Sequence, residues 1–488
     1  MDRDGHESFA LFSVGKQQVT VDFDGGRITS DAGLLAVREF EKELGILAEV
    51  AQIIPDPRAQ PFVRHSVERI VTQQVYQIMG GYPDGEHART LRDDPTFRCI
   101  VGVSPDDADD RLASPSTLNR FAHAYTRRQA ELPPEIRPVL LEQRAAQLDR
   151  IGHLNGYLPD LFVRTRREKP PFIILDLDAT DVATHGNQQL SAYHAFYKQH
   201  QYLPLFVMDG QTGFPLSVDL RPGNAHASWG AVDTLRRVVT KLRRNWPDIV
   251  ILVRADNGLA TPEMYEFCES EGLLYAFGYA INSVLERRTA QAMADLRTYH
   301  GCYGHREERV QRFERIEDYQ AGSWSRPRTI VAKLEITPEG ENRRFVATNL
   351  SGNPAGIYRG FYVQRGRVPE QPLGELKNDL AADRLSSPRV LANNWKLLLH
   401  TLAYAISVLF REALAAIPQV ARAQVGSLRS MLWKVGAVVK TSARRIRFHF
   451  SSTWPHQRLF GRVRQALADF VEQLRRTGFE RPAALAPF

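Results

Sequence analysis

The chain has 488 residues, 43% of them hydrophobic and 24% charged, with a formal net charge of +7. That length excludes a single core and suggests about two to four domains of an ordinary globular protein. The first eighteen residues hold no apolar stretch of signal-peptide length, and the most apolar run, Leu397–Pro418, is interrupted by His400, Arg411 and Glu412; a buried helix in a cytoplasmic protein is expected there, not a membrane span. Cys99, Cys268 and Cys302 lie too far apart to suggest a disulfide framework or a zinc module. From Val420 to Phe488 thirteen Lys/Arg face three acids, a surplus of ten, so the rest of the chain is net negative by three. A basic C-terminus of this kind points to a polyanion partner.

Residues 1–150 read as mostly helical. SDAGLLAVREFEKELGILAEVAQ starts with the capping residues Ser30 and Asp31, and Leu34, Leu35, Val37 and Phe40 recur at helical spacing. A second helix fits HSVERIVTQQVYQIMGG and ends at Gly80 and Gly81. A third fits SPSTLNRFAHAYTRRQA, capped by Ser114 or Ser116, with Arg120, Arg127 and Arg128 available to phosphates; this is compatible with a helix-turn-helix or a plain bundle.

The most informative stretch is PFIILDLDATDVATHGNQ, residues 171–188. An apolar run leads straight into Asp176, Asp178 and Asp181, so a buried strand ends in carboxylates, and Asp176, Asp178 and Thr180 leave the same face. Acids there need a cation or a partner. One reading is half of a site for Mg²⁺ or Mn²⁺, and the other is capping or pairing with an arginine. LPLFVMDG and FPLSVDLRPGN follow as a hairpin, then a helix from Trp229 to about Asn245 and a second buried strand, DIVILVRADNG, ending in Asp256. A helix (TPEMYEFCESEG) and a third strand (LLYAFGY) complete a mixed α/β pattern.

From 282 to 350 the sequence is first polar and irregular, then alternates in RTIVAKLEI and RRFVATNL, which indicates a β-rich insertion. His300, Cys302 and His305 lack a fourth ligand at zinc-finger spacing and read as loop residues. Beyond it the chain is helical, with an apolar helix pair over Val390–Ala416, a basic β-hairpin carrying Arg444, Arg445 and Arg447, and a closing helix from Gln457 to about Arg476.

Two strands ending in acids, with a later Glu370, could hold a pair of cations about 3.5–4 Å apart on either side of a phosphodiester. The segments ITSDAGLLAVREFEKELG, HSVERIVTQQVYQIMGGYPD, LRDDPTF, LASPSTLNRF, LDLDATDVATHGNQ, LRPGNAHAS, LVRADNGL, FGYAIN, ELKNDL and VGAVVKTSARRI together resemble the DDE transposases of bacterial insertion sequences, most closely the thirteen-eighty group. The resemblance implies an RNase H-like catalytic core over 151–281 and 351–418, interrupted by the insertion 282–350, with a helical DNA-end-binding region at 1–150 and a basic region at 419–488. It implies Asp178, Asp256 and Glu370 as catalytic acids holding two Mg²⁺ or Mn²⁺ ions, with Asp176 as an alternative ligand. It also implies Tyr362, Arg365 and Lys377 on DNA phosphates, alongside Arg444, Arg445 and Arg447.

The family's Tyr-Arg-Glu-Lys signature is modified here, with one additional residue between Arg365 and Glu370. Pro369 and Pro372 flank the glutamate, so a helix starts at about Pro369 or breaks there, and Glu375 is a rival third acid. His185, Asn187 and Gln188 are divided between shaping a turn and lying near the active site, and Arg221 and Asn224 between turn geometry and DNA contact. The implied partners are double-stranded DNA, as terminal inverted repeats and as target, and a second copy of the chain on that DNA, with no membrane and a nucleoid location. The alternatives are a catalytically silent transposase-derived DNA-binding protein and a stand-alone RNase H-like nuclease.

Overall fold

The structure, a computed structural model, describes residues 8–479 apart from 57, 59, 124–136, 304–308 and 367–369. It opens on strands, where helices were expected. β1 (Phe9–Val14) and β2 (Gln17–Val21) form a separate antiparallel hairpin with no buried face, and β3 (Ile28–Thr29) follows. The first expected helix is two, α1 (Leu34–Leu44) and α2 (Ile46–Ile53), divided at Gly45 in the left-handed region (φ 66°). Ser30 and Asp31 do not cap α1. Asp31 is buried instead, paired with Lys434 at 2.6 Å and accepting the Tyr82 hydroxyl at 2.9 Å. α3 (Val67–Gly80) is capped by Ser66 and stopped by Gly81. α4 (Pro115–His123) begins where Ser114 accepts the Thr117 amide; Arg127 and Arg128 lie outside the described residues. α5 (Arg137–Arg164) leads into the sheet.

Strand β4 (Phe172–Ala179) is followed by three short strands, β5 (Val182–Ala183), β6 (Ala192–His194) and β7 (Gln199–Tyr202), which make a small sheet in the order β5-β7-β6. Then come β8 (Leu205–Asp209), β9 (Pro215–Asp219), α6 (Ala231–Asn245), β10 (Val250–Ala255), α7 (Pro262–Ser270) and β11 (Leu274–Tyr279). β4, β8 and β9 form an antiparallel meander, while β10 runs parallel to β4 and β11 parallel to β10. Parallel neighbours cannot be joined by tight turns, and α6 and α7 lie in the connections that bring the chain back.

Over 283–303 the polar stretch after β11 is helical, not irregular. Asn282 caps the helix Ser283–Arg288, and α8 (Ala290–Tyr303) follows; Leu285, Met293 and Leu296 are buried. His300 and Cys302 lie near the end of α8, and His305 is outside the described residues. β12 (Val310–Tyr319) forms where the sequence read as irregular, whereas β13 (Arg328–Thr337) and β14 (Gly340–Thr348) are the expected strands. β14 pairs antiparallel with β11, so all three lengthen the central sheet, whose order is β12-β13-β14-β11-β10-β4-β8-β9.

The expected apolar helix pair is one helix, α9 (Val390–Ala413), buried on nearly every side between α3, α5 and β9. A helix without a polar stripe gives no periodic sign of where it ends. Among the described residues no helix is long and apolar enough to cross a membrane. β15 (Ala437–Ser442) and β16 (Arg445–Phe450) are the expected basic hairpin, and β15 also pairs with β3, Val438 opposite Ile28. α10 (Gln457–Arg476) packs on α1, with Arg464 on Glu39 at 3.0 Å and Arg475 paired with Glu43. Phe40 of α1 meets Phe410 of α9 at 6.3 Å and Phe470 of α10 at 6.0 Å, within one continuous apolar cluster.

Candidate active site

Sheet register places the acids. In the parallel pair β4/β10, Arg254 lies opposite Asp176 and Ala255 opposite Leu177. One residue further Asp256 leaves β10 beside Asp178. Alternation along each strand therefore sets Arg254 with Asp176, and Asp256 with Asp178, as two successive rungs on one face. The first rung is a fully buried bidentate ion pair, Arg254 Nε to Asp176 Oδ1 at 2.6 Å and Nη2 to Oδ2 at 2.7 Å. The second rung is two half-buried carboxylates.

Asp176, considered as an alternative metal ligand, thus has both oxygens on a guanidinium. Burial pushes its carboxyl up, while Arg254 and Arg365 pull it down. Arg254 Nη1 also donates to the Phe361 carbonyl at 2.8 Å, and the Phe361 ring lies 5.2 Å from the guanidinium carbon. The rung is therefore tied to the segment that carries Tyr362 and Arg365. On the other side Gly210 closes in: a Cβ there would lie 2.7 Å from Arg254 Nη2 and 2.8 Å from Asp176 Oδ2.

Asp256 caps the turn after β10, its Oδ1 accepting the Gly258 amide at 3.0 Å. Tyr362 packs against this turn through Gly278 of β11, where a Cβ would come within 2.6 Å of the Tyr362 hydroxyl and 3.0 Å of the Asn257 nitrogen. Burial raises the Tyr362 phenol, Arg365 opposes and Asp256 adds to the rise. The Arg365 guanidinium lies 5.9 Å from the Tyr362 ring. Across the site Asp181 accepts from Lys377 Nζ at 3.0 Å and Gln199 Nε2 at 2.9 Å. Burial works against this carboxylate, but Lys377 and Gln199 outweigh it and hold its pKa below the ordinary value. Burial raises the Tyr197 phenol, and Asp181, Asp178 and Asp256 add to the rise.

The structure therefore brings Asp178, Asp181, Asp256, Tyr362, Arg365 and Lys377 to one end of the sheet. The segment that supplies the last three is a chain of short turns, wide at Gly356–Phe361, tight at Tyr362–Gly366, α-helical at Glu370–Gly374 and wide again at Glu375–Asp379. Wide turns of this kind are frequent at functional sites. Pro372 falls in the first turn of the short helix, where no amide hydrogen is required. Pro369 and the Glu370 side chain lie outside the described residues. Glu375, the rival third acid, is buried and spoken for: its oxygens accept from Arg411 at 2.8 and 3.0 Å and from the Val425 amide at 3.0 Å. Among the described residues no three His, Cys, Asp or Glu side chains are grouped as a metal site.

Two of the divided residues have packing roles. Gln188 donates to the Leu385 carbonyl at 2.9 Å and accepts from Asn393 at 3.0 Å. Buried Arg221 donates to the carbonyls of Leu203, Ala227 and Trp229. His185, Asn187 and Asn224 are exposed. Arg444, Arg445 and Arg447 are exposed on the basic hairpin, where Lys440 faces Arg447 across the strands. Alternation sets Lys440, Arg445, Arg447 and His449 on its outer face, and like charges directly opposite are unfavourable without an anion between them.

Sequence reasoning missed Arg254, Tyr197 and the Lys377–Asp181 pair. One signal was available for the first: Asp176 precedes Asp178 by two residues just as Arg254 precedes Asp256, and equal spacing on paired strands makes rungs.

The family described as Transposase DDE domain group 1 matches residues 12–472. No curated protein matches the chain. A similar solved structure is a cryo-EM structure of the piggyBac transposase synaptic complex with hairpin DNA, at 12% identity over 91% of this chain and 85% of that chain, with a TM-score of 0.39.

Proposed function

The chain belongs to the transposases with a DDE domain of group 1, and on that premise we propose that it cuts the ends of a bacterial insertion sequence of the thirteen-eighty type and joins them to target DNA. The catalytic acids in this reading are Asp178, Asp256 and Glu370. The observation that carries it is the rung on which Asp178 and Asp256 leave adjacent parallel strands on one face. The strand order β9-β8-β4-β10-β11, antiparallel through the first three and parallel through the last three, supports an RNase H-like core.

Asp178 and Asp256 fit Mg²⁺ or Mn²⁺: hard oxygens, half-buried, next to a guanidinium already engaged by Asp176. Asp178, Asp256 and Glu370 would hold a pair of such ions, which would supply Lewis acidity at a phosphodiester. The protein's own groups position the strand. Arg365 offers a phosphate a bidentate fork, Tyr362 a hydroxyl held beside Asp256, and Lys377 a point charge beside Asp181. The outer face of the basic hairpin holds duplex further along. Cutting two ends together calls for two protomers on DNA, which would assemble on the nucleoid in the cytoplasm.

The test is cleavage of a labelled duplex carrying the flanking terminal repeat, with Mg²⁺ or Mn²⁺. The unmodified protein cuts, and Asp178→Ala, Asp256→Ala and Glu370→Ala each abolish cutting while Glu375→Gln does not. Metal-dependent cutting by Asp178→Ala or Asp256→Ala refutes the assignment. Binding without any cutting by the unmodified protein makes it a silent DNA-binding relative; cutting without terminal repeats or strand transfer makes it a nuclease.

A further inference from the structure

The hairpin formed by β6 and β7 presents aromatic rings that the fold does not use. Phe196 is 80% exposed, Tyr193 56% and Tyr197 37%, all within five residues. An isolated exposed apolar residue needs no explanation, but this group is concentrated at one tip and held there. Lys198 adopts a left-handed backbone (φ 53°) with its amide on the His194 carbonyl at 2.8 Å, a conformation that costs a non-glycine residue energy and persists where surroundings impose it. The rings brace one another, Phe196 edge-on to Tyr197 at 5.0 Å and His194 against Tyr197 at 5.1 Å. Gln199, at the start of β7, is bonded to Asp181, so the tip is anchored to the acid-bearing end of the sheet.

What meets this tip must come to the reacting end of the sheet. The carboxylates repel bare phosphate there, whereas an aromatic face accepts a base, and Lys198, His194 and His200 flank the tip with cationic or hydrogen-bonding groups for the adjoining backbone. We propose that the tip of the β6/β7 hairpin is a stacking site for a nucleobase of the DNA next to the scissile phosphodiester, with the Phe196 ring entering the base stack. This rests on the transposase reading and adds to it a named contact between protein and base.

The experiment uses the full chain and a duplex of the flanking terminal repeat with 2-aminopurine at successive positions around the cut. Fluorescence of the unmodified complex is expected to rise at one or two positions where the base loses its neighbours. Phe196→Ala removes that rise and slows cleavage by about five- to hundredfold, the range of one stacked base; Phe196→Trp retains both. An abasic site at the responding position, which needs no unstacking, restores cutting by Phe196→Ala. The proposal is overturned if the unmodified protein cuts with no responding position, if Phe196→Ala responds as the unmodified protein does, or if the substitution changes only the mass of the complex. If the unmodified protein neither binds nor cuts the repeat, the transposase reading itself fails and takes this proposal with it.

Discussion

Replacing Arg254 by Met removes one half of the buried rung. Its side chain is 2% exposed and that of Asp176 0%, so no water can take over from the guanidinium. Leaving one buried charge without its partner costs about 3–5 kcal/mol, and the lost donor to the Phe361 carbonyl adds about 0.5–1.5 kcal/mol. The pair as a whole behaves differently, because replacing both charges by apolar groups is often neutral. Arg254→Met with Asp176→Leu is therefore expected to return to within about 1–2 kcal/mol of the unmodified protein. Catalysis should not return with stability. The double variant no longer fixes Phe361, and a shift of about 1 Å in the neighbouring Tyr362 is enough to cost on the order of a hundredfold in rate. Urea unfolding measures the first quantity and single-turnover cleavage of the repeat duplex the second. Gly210→Ala, whose Cβ would press on both partners, should mimic the single variant. A loss below about 1 kcal/mol in Arg254→Met, or full cleavage by the double variant, would refute the reasoning.

Gly278→Ala should push the Tyr362 hydroxyl away from the Asp256 turn, lowering cleavage while salt-dependent DNA binding measured by anisotropy stays as it was. Replacing Lys440, Arg445 and Arg447 together by Gln should not lower the unfolding midpoint and should flatten the dependence of log affinity on log salt by about 0.9 for each phosphate that is no longer neutralised. Buried His400, whose pKa burial lowers to about 4, binds its proton later than the unfolded chain does. It therefore withdraws about 3 kcal/mol of stability as pH falls from 6.5 to 4. Asp209, pushed up to about 6 by burial, binds its proton earlier than the unfolded chain and returns about 3 kcal/mol between pH 6 and 4. The unmodified protein should be nearly flat across that window for these two groups, whereas Asp209→Asn should lose stability steeply in acid and His400→Gln should gain it, as urea midpoints at each pH will show.

Much of the sheet was legible because its signals are local. An apolar run that ends abruptly in an acid marks β4 and β10, and the glycines between Asp209 and Phe214 mark the hairpin of β8 and β9. What was not legible depends on distant partners. Arg254 and Asp176 are 78 residues apart, and nothing near either one states that their strands pair in that register. The Asp31 carboxylate looked like a cap because its partner Lys434 comes from the opposite end of the chain. The helices of 283–303 were hidden by polar residues around Leu285, Met293 and Leu296, and the β1/β2 hairpin by having no buried face to pattern against.

The pairing of β3 with β15 has a consequence for time. Ile28 and its partner Val438 are 410 residues apart in the chain, and α1 waits still longer for α10. At about 5–20 residues per second, a ribosome needs on the order of 20–80 s to deliver the strand that pairs with β3. Until then the edge of β3 that pairs with β15 is open, and α1 has only α2, the helix over 95–100 and α9 against it. β3 and α1 thus reach their folded surroundings only after residues 437–476 have been made.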